Sequence, residues 1–150
     1  MTDFYATSKY VKELQPSDFD EIDTWRLKDK SCTAVLFYCH WCGYCQKVKD
    51  VWEQLGRKAA FMKVAAFHCA AHPEHTEKIK YDMPQLVTSY PTITMYKDGE
   101  PLEAYEGDRT LASLMEMCMR VCSAGRLSSD SGNCSSNSQS CSSQSGCSSR

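Results

Sequence analysis

A chain of 150 residues with a formal net charge of −2 and a pI near 6.1 is long enough for one substantial core, and it has no basic stripe of the kind that holds nucleic acid. No uninterrupted apolar run nears the roughly 20 residues of a membrane-spanning helix, so neither nucleic acid nor a membrane is expected as a partner. Ten cysteines without a visible export signal read as redox or metal chemistry rather than as a disulfide framework.

In chain order, Met1 to Lys9 is a loose lead-in. It lacks a basic start followed by an apolar stretch, so no secretory signal is visible and the location is cytoplasmic by default. Tyr10 to Leu14 alternates enough for a short edge strand. Pro16 and Ser17 mark a turn into a helix, with Ser17 and Asp20 in capping-box-like spacing and Phe19, Ile22 and Trp25 on one face, ending near Lys28. Ala34 to Tyr38 is an apolar run with the pattern of a buried strand. Cys42 to about Lys58 has helical spacing, with Val48, Val51, Trp52 and Leu55 on one face.

Phe61 to Phe67 reads as another strand, and Pro73 to Tyr81 as a helix with proline in its first turn. Val87 to Tyr96 and Leu102 to Tyr105 flank Asp98-Gly99, a hairpin signal. Thr110 to Cys122 closes as a helix with Leu111, Leu114, Met115 and Cys118 on one face. This order predicts an α/β fold whose mixed sheet is covered by helices on both faces, a domain at residues 10–122. From Ser123 onward Ser, Asn, Gln and Gly dominate, with Cys134, Cys141 and Cys147 among them; such a tail cannot bury enough apolar surface to offset its ordering entropy and is expected to be disordered.

The chemistry centres on Cys42 and Cys45, which straddle a strand-to-helix junction, Cys42 at or near the helix start and Cys45 about one turn in. Thiolate is the nucleophile, and a helix N-terminus offers unsatisfied N–H groups and partial positive charge that favour it. Lowering a thiol pKa from about 8.5 to about 7 takes roughly 2 kcal/mol, which a partly buried helix terminus can supply. The competing reading is metal: Cys39, Cys42 and Cys45 with His40, or Cys69, His72 and His75, could ligate zinc, but a closed site needs four ligands and no second half is clearly supplied. Cys39, Cys32, Cys118 and Cys122 read as packed thiols, His72 and His75 as solvated, and Trp25 and Trp52 as core.

Trp41-Cys42-Gly43-Tyr44-Cys45 after a strand resembles the active site of the thioredoxin superfamily, and Phe37-Tyr38-Cys39-His40-Trp41-Cys42-Gly43 is closest to its protein disulfide isomerase branch. Tyr90-Pro91-Thr92 before a strand and an Asp-Gly hairpin resembles the family's cis-proline loop. The resemblance covers about Leu14 to Cys122 and implies a thioredoxin fold and a thiol–disulfide oxidoreductase acting on Cys-containing proteins or peptides without a cofactor or metal. It implies Cys42 and Cys45 as the catalytic dithiol, and Trp41, Tyr90 and Pro91 as substrate-binding residues. Gly43 and Tyr44 then stand where the family tunes its potential, and Arg109 where an arginine can approach the buried cysteine.

Two positions depart from the family's pattern. Leu36 stands where a carboxylate beneath the site would be, with His40 and Lys63 as possible replacement bases, and Asp50 stands where a helix-kinking proline would be. Two other functions stay open: a non-catalytic binding module on the same fold, and a redox-controlled structural protein that cross-links through its tail cysteines.

Overall fold

The computed structural model describes residues 3–130, with side chains described to residue 122. Two compact units divide the chain, Met1–Cys118 and Met119–Arg150. The first holds a sheet of five strands: β1 (Lys12–Glu13), β2 (Thr33–Tyr38), β3 (Lys63–His68), β4 (Thr92–Lys97) and β5 (Glu100–Ala104). Helix α1 (Gly43–Lys58) follows β2, α2 (Pro73–Asp82) follows β3, and α3 (Leu111–Asp130) follows β5. Within the second unit the described part is the continuation of α3 from residue 119 to Asp130.

The strands lie in the order β1-β3-β2-β4-β5. β3 runs parallel to β1 and β2, whereas β4 is antiparallel to β2 and to β5. All six residues of β2 are buried, as a central strand covered on both faces requires. Alternation along the strands sorts the core into two halves. On one face Val35, Phe37, Cys39, Ala65, Phe67 and Tyr96 pack with Ile79 of α2. Leu36 and Tyr38 point the other way, toward the α1 side: Tyr38 lies edge-to-face with Tyr5, whose hydroxyl donates to the Lys49 carbonyl of α1 at 2.8 Å. Thus the α/β expectation of a mixed sheet with helices on both faces agrees with the thioredoxin fold described here.

The β4–β5 connection forms where expected. Asp98 (φ 58°) and Gly99 (φ 84°) both take the left-handed region, as a two-residue hairpin whose twist matches its strands demands. A side chain on Gly99 would also lie 2.6 Å from the Leu27 carbonyl oxygen.

Four local readings are corrected. The helix expected from Ser17 to Lys28 does not form; a single turn at Pro16–Asp18 is followed by a loop in which Phe19 bridges Leu27. Asp20 is the reason: its carboxylate accepts the N–H groups of Ile22 at 2.8 Å and Asp23 at 2.9 Å, a turn that competes with helix, and Ile22 has no core to face. The strand expected from Val87 begins only at Thr92, after a loop that buries Leu86 and Val87. Helix α3 continues eight residues beyond Cys122 along the backbone. Cys118 is a buried free thiol as expected, but Cys32 and Cys122 are not free: each is disulfide-bonded. The expected disorder from residue 131 on, with Cys134, Cys141 and Cys147, lies outside the described residues. No helix among the described residues is long and apolar enough to cross a membrane.

Candidate active site

β2 ends at Tyr38 and α1 begins at Gly43, so Cys39 to Cys42 turn the chain from sheet to helix. The Cys42 N–H closes that turn on the Cys39 carbonyl at 3.2 Å. Cys42 is the N-cap residue of α1, with extended backbone (φ −85°, ψ 122°), and its carbonyl accepts the Gln46 N–H at 3.1 Å. Helical spacing then turns Cys45 inward with Val48, Trp52 and Leu55. Cys42 is half-buried and Cys45 fully buried.

That difference in burial separates the two thiols chemically. Burial acts to raise the Cys42 thiol. It is outweighed by the Cys45 N–H, the Cys45 S–H, the Tyr44 N–H and the positive charge of Arg109, so its pKa lies below the ordinary thiol range. Cys45 is pushed up to about 12, first by burial, with the hydrogen bond and the charge of Cys42 adding to it. One sulfur is therefore disposed to be an anion and its neighbour to keep a proton, which is the division of labour between an attacking thiolate and a thiol held in reserve.

The Tyr90–Pro91 peptide bond is cis. The Cys42 thiol stands 3.5 Å from the Tyr90 carbonyl oxygen. Trp41 packs edge-on to the Tyr90 ring at 6.2 Å and is 64% exposed, so it forms part of the outer surface beside the sulfur. Residues 41, 42, 90 and 91 thus come together although the two pairs are half the domain apart in sequence. Tyr44 is equally exposed, with Lys47 Nζ over its ring at 5.3 Å. Gly43 has open space where a side chain would be. Arg109 is exposed, and its charge helps to lower the Cys42 thiol.

Several neighbours were not predicted. Cys39 and Cys69 are buried free thiols that both hydrogen-bond with the Tyr90 hydroxyl, and burial raises the pKa of each. Together with Trp41, Thr76, Lys80 and Tyr90 they line a cavity of about 260 Å³. Cys39 was visible in the sequence as the residue three before Cys42 and Cys69 as a candidate zinc ligand, but no spacing placed either against Tyr90. The buried His68, with Asp3 and His40 hydrogen-bonded to it, is also new.

Of the two replacement bases considered for Leu36, Lys63 is out of place: it starts β3, at the opposite end from the site, and pairs with Asp29. Leu36 itself is fully buried. Asp50 is exposed within α1, which runs without interruption. His72 and His75 are half-buried and not fully solvated: His72 stacks on Phe67 at 5.2 Å, and His75 lies between Phe19 and Phe67 with Nε2 2.9 Å from the Thr24 carbonyl oxygen. Burial lowers the pKa of both. Among the described residues no group of three or more His, Cys, Asp or Glu side chains is arranged to hold a metal ion.

Comparison with known proteins agrees with this geometry. The thioredoxin family model matches residues 10–120. The chain is 38% identical over 111 residues to the Thioredoxin domain-containing protein 5 homolog of Drosophila melanogaster, covering 69% of this chain and 25% of that protein. It is 33% identical over 116 residues to Protein disulfide-isomerase C17H9.14c of Schizosaccharomyces pombe, covering 71% of this chain and 28% of the relative. The chain therefore spans about a quarter of the length of these curated relatives. Among solved structures, the J-Trx1 fragment of ERdj5 superposes with a TM-score of 0.66 at 20% identity, over 80% of this chain and 55% of the other. The Trx4 domain of ERdj5 does so with a TM-score of 0.59 at 22% identity, over 80% and 97%. By its sequence and by its fold, this chain belongs to the thioredoxin family.

Proposed function

We propose that the domain is a thiol–disulfide oxidoreductase acting on Cys-containing proteins or peptides, with Cys42 as nucleophile and Cys45 as its resolving partner. The observation that carries this reading is the asymmetry of the two thiols at one helix terminus, one lowered and partly open, the other raised and buried. The Cys42 thiolate attacks one sulfur of a substrate disulfide; a Cys42–substrate disulfide forms and the other substrate sulfur leaves as thiolate. Cys45 then loses its proton and attacks the Cys42 sulfur. The second substrate sulfur leaves, and a Cys42–Cys45 disulfide remains. Two electrons pass from the dithiol to the substrate, and the reverse sequence oxidises a dithiol.

Trp41, Tyr90 and Pro91 serve as the substrate face. An extended peptide that hydrogen-bonds main chain beside the half-buried Tyr90 brings its own sulfur to the Cys42 side, a form of β-augmentation. The relatives named protein disulfide isomerase support the same chemistry. Insulin reduction with dithiothreitol tests it: the wild-type chain should exceed Cys42→Ser by at least about tenfold, as loss of the nucleophile requires. Equal rates would remove the claim.

A second reading, a binding module that retains its client, is favoured by one observation. Leu36 is fully buried in β2 and offers no carboxylate to take the Cys45 proton. Under that reading, mixed disulfides with substrate persist in the wild-type chain and insulin turnover stays at the Cys42→Ser level.

A further inference from the structure

Three polar side chains that the exchange steps do not use form one chain of hydrogen bonds ending at the active-site loop. His68, the last residue of β3, is fully buried. Its Nδ1 lies 2.7 Å from Asp3 Oδ1. Its Nε2 lies 3.0 Å from His40 Nδ1 and 3.2 Å from the His40 backbone nitrogen. An imidazole whose Nδ1–H donates to a carboxylate keeps its lone pair on Nε2. That lone pair accepts the backbone N–H of His40 and faces the ring N–H of the same residue.

His40 is held a third time at its carbonyl, which accepts from the Gln46 side chain at 3.0 Å. The residue two before Cys42 is thus fixed at its N–H, its ring and its C=O. The Cys42 thiolate depends on the N–H groups of Tyr44 and Cys45, and such interactions weaken quickly when the sulfur is free to wander.

We propose that His68, held by Asp3, is a positioning residue for the nucleophile: it anchors His40, and through it the Cys39–Cys42 loop that presents the Cys42 sulfur to the start of α1. The effect on turnover rests on the oxidoreductase reading; the effect on Cys42 reactivity does not. Of two ring nitrogens 3.0 Å apart one donates and the other accepts, so the pair shares one proton between them. The charged and titratable groups around His68 are Asp3 on Nδ1, His40 on Nε2, the Tyr38 ring stacked on it at 4.7 Å with Glu13 on the Tyr38 hydroxyl, and His72 before α2.

The test follows Cys42 alkylation by limiting iodoacetamide from about pH 5 to 9, read by peptide mass spectrometry on the full chain. Wild type, His68→Leu and His68→Gln are compared. The Leu variant should alkylate about tenfold more slowly at pH 7, the loss of thiolate that one pKa unit represents. The Gln variant, whose side-chain carbonyl can accept the His40 N–H, should stay within about threefold of wild type. A folded Leu variant with the wild-type rate overturns the proposal, and so does a Gln variant as slow as Leu. If the Leu variant fails to fold, His68→Ala decides, and a folded Ala variant with the wild-type rate overturns the proposal. Absent insulin reduction together with His68-dependent alkylation would sink the oxidoreductase reading and leave this one standing.

Discussion

The Cys42 thiol lies 3.5 Å from the carbonyl oxygen of Tyr90, 48 residues later in the chain and one peptide bond before the cis-linked Pro91. Two elements with no sequence proximity therefore share one small surface. The sulfur emerges from the start of α1, and the main chain of the Tyr90 loop faces it because β4 pairs antiparallel to β2, with Thr92 opposite Phe37. Under the proposed function, a protein substrate presented at that surface would meet a nucleophile and a hydrogen-bonding edge together.

The two thiols should behave differently when removed one at a time. Cys45→Ser keeps the attacking sulfur and loses the resolving one, so it should accumulate a covalent adduct with a disulfide-containing protein, visible as a dithiothreitol-sensitive band on a non-reducing gel. Cys42→Ser, left with a buried and protonated Cys45, should form little or none. Equal adduct yields from the two variants would contradict the assigned roles.

Arg109 acts on Cys42 through solvent, so its contribution should be small and screened. Arg109→Gln should slow iodoacetamide alkylation of Cys42 at pH 7 by about twofold at low salt, in line with the modest worth of an exposed charge. In 1 M salt, where the screening length is about 3 Å, variant and wild type should converge.

Glu13 gives the reduced domain a pH dependence of known sign. Burial pushes its carboxyl up to about 7, against hydrogen bonds from the Tyr38 hydroxyl and the Tyr5 N–H. Its Oε1 is buried with no hydrogen-bond partner among the described residues. Below about pH 4 folded and unfolded chains both hold the proton. As pH rises from there to about 7 the unfolded chain ionises first, so this group makes folding progressively less favourable, and beyond that point its penalty is constant. Solvent access to this half-buried group keeps the effect to about 1 kcal/mol. Glu13→Gln should therefore gain about 4 °C in melting temperature over wild type at pH 8 relative to pH 5, measured by thermal circular dichroism.

Gly43 and Gly56 sit in the same helix and should respond oppositely to alanine. A side chain at Gly43 meets open space, so Gly43→Ala should fold with at least wild-type stability. At Gly56 the new carbon would lie 2.4 Å from the Tyr10 carbonyl oxygen, and backbone cannot step aside cheaply. Gly56→Ala should lose about 1–3 kcal/mol in urea denaturation, the usual cost of overpacking. A neutral Gly56→Ala would show that the contact of α1 with Tyr10 is loose.

What residues within a few positions of each other decide was legible without a structure. The apolar run of β2, the helical stripe of α1, the Asp98-Gly99 turn and the placing of Cys42 at a helix start all follow from short-range pattern and turn chemistry, and the Tyr90-Pro91 loop from its resemblance to a family motif. The failures have the same range: the Asp20 carboxylate captures nearby N–H groups in place of a helix, and the apolar face read at Ile22 had nothing to cover it. Neighbours in the chain lower the Cys42 thiol, but tertiary structure decided how far Cys45 is raised, because desolvation depends on what covers a sulfur. Tertiary structure alone brought Asp3 to His68 across 65 residues, and Cys69 with Cys39 to the Tyr90 hydroxyl. Those contacts exist because β3 runs parallel beside β2 and ends level with it, placing His68 opposite Tyr38, and strand pairing of that kind is a property of the whole sheet.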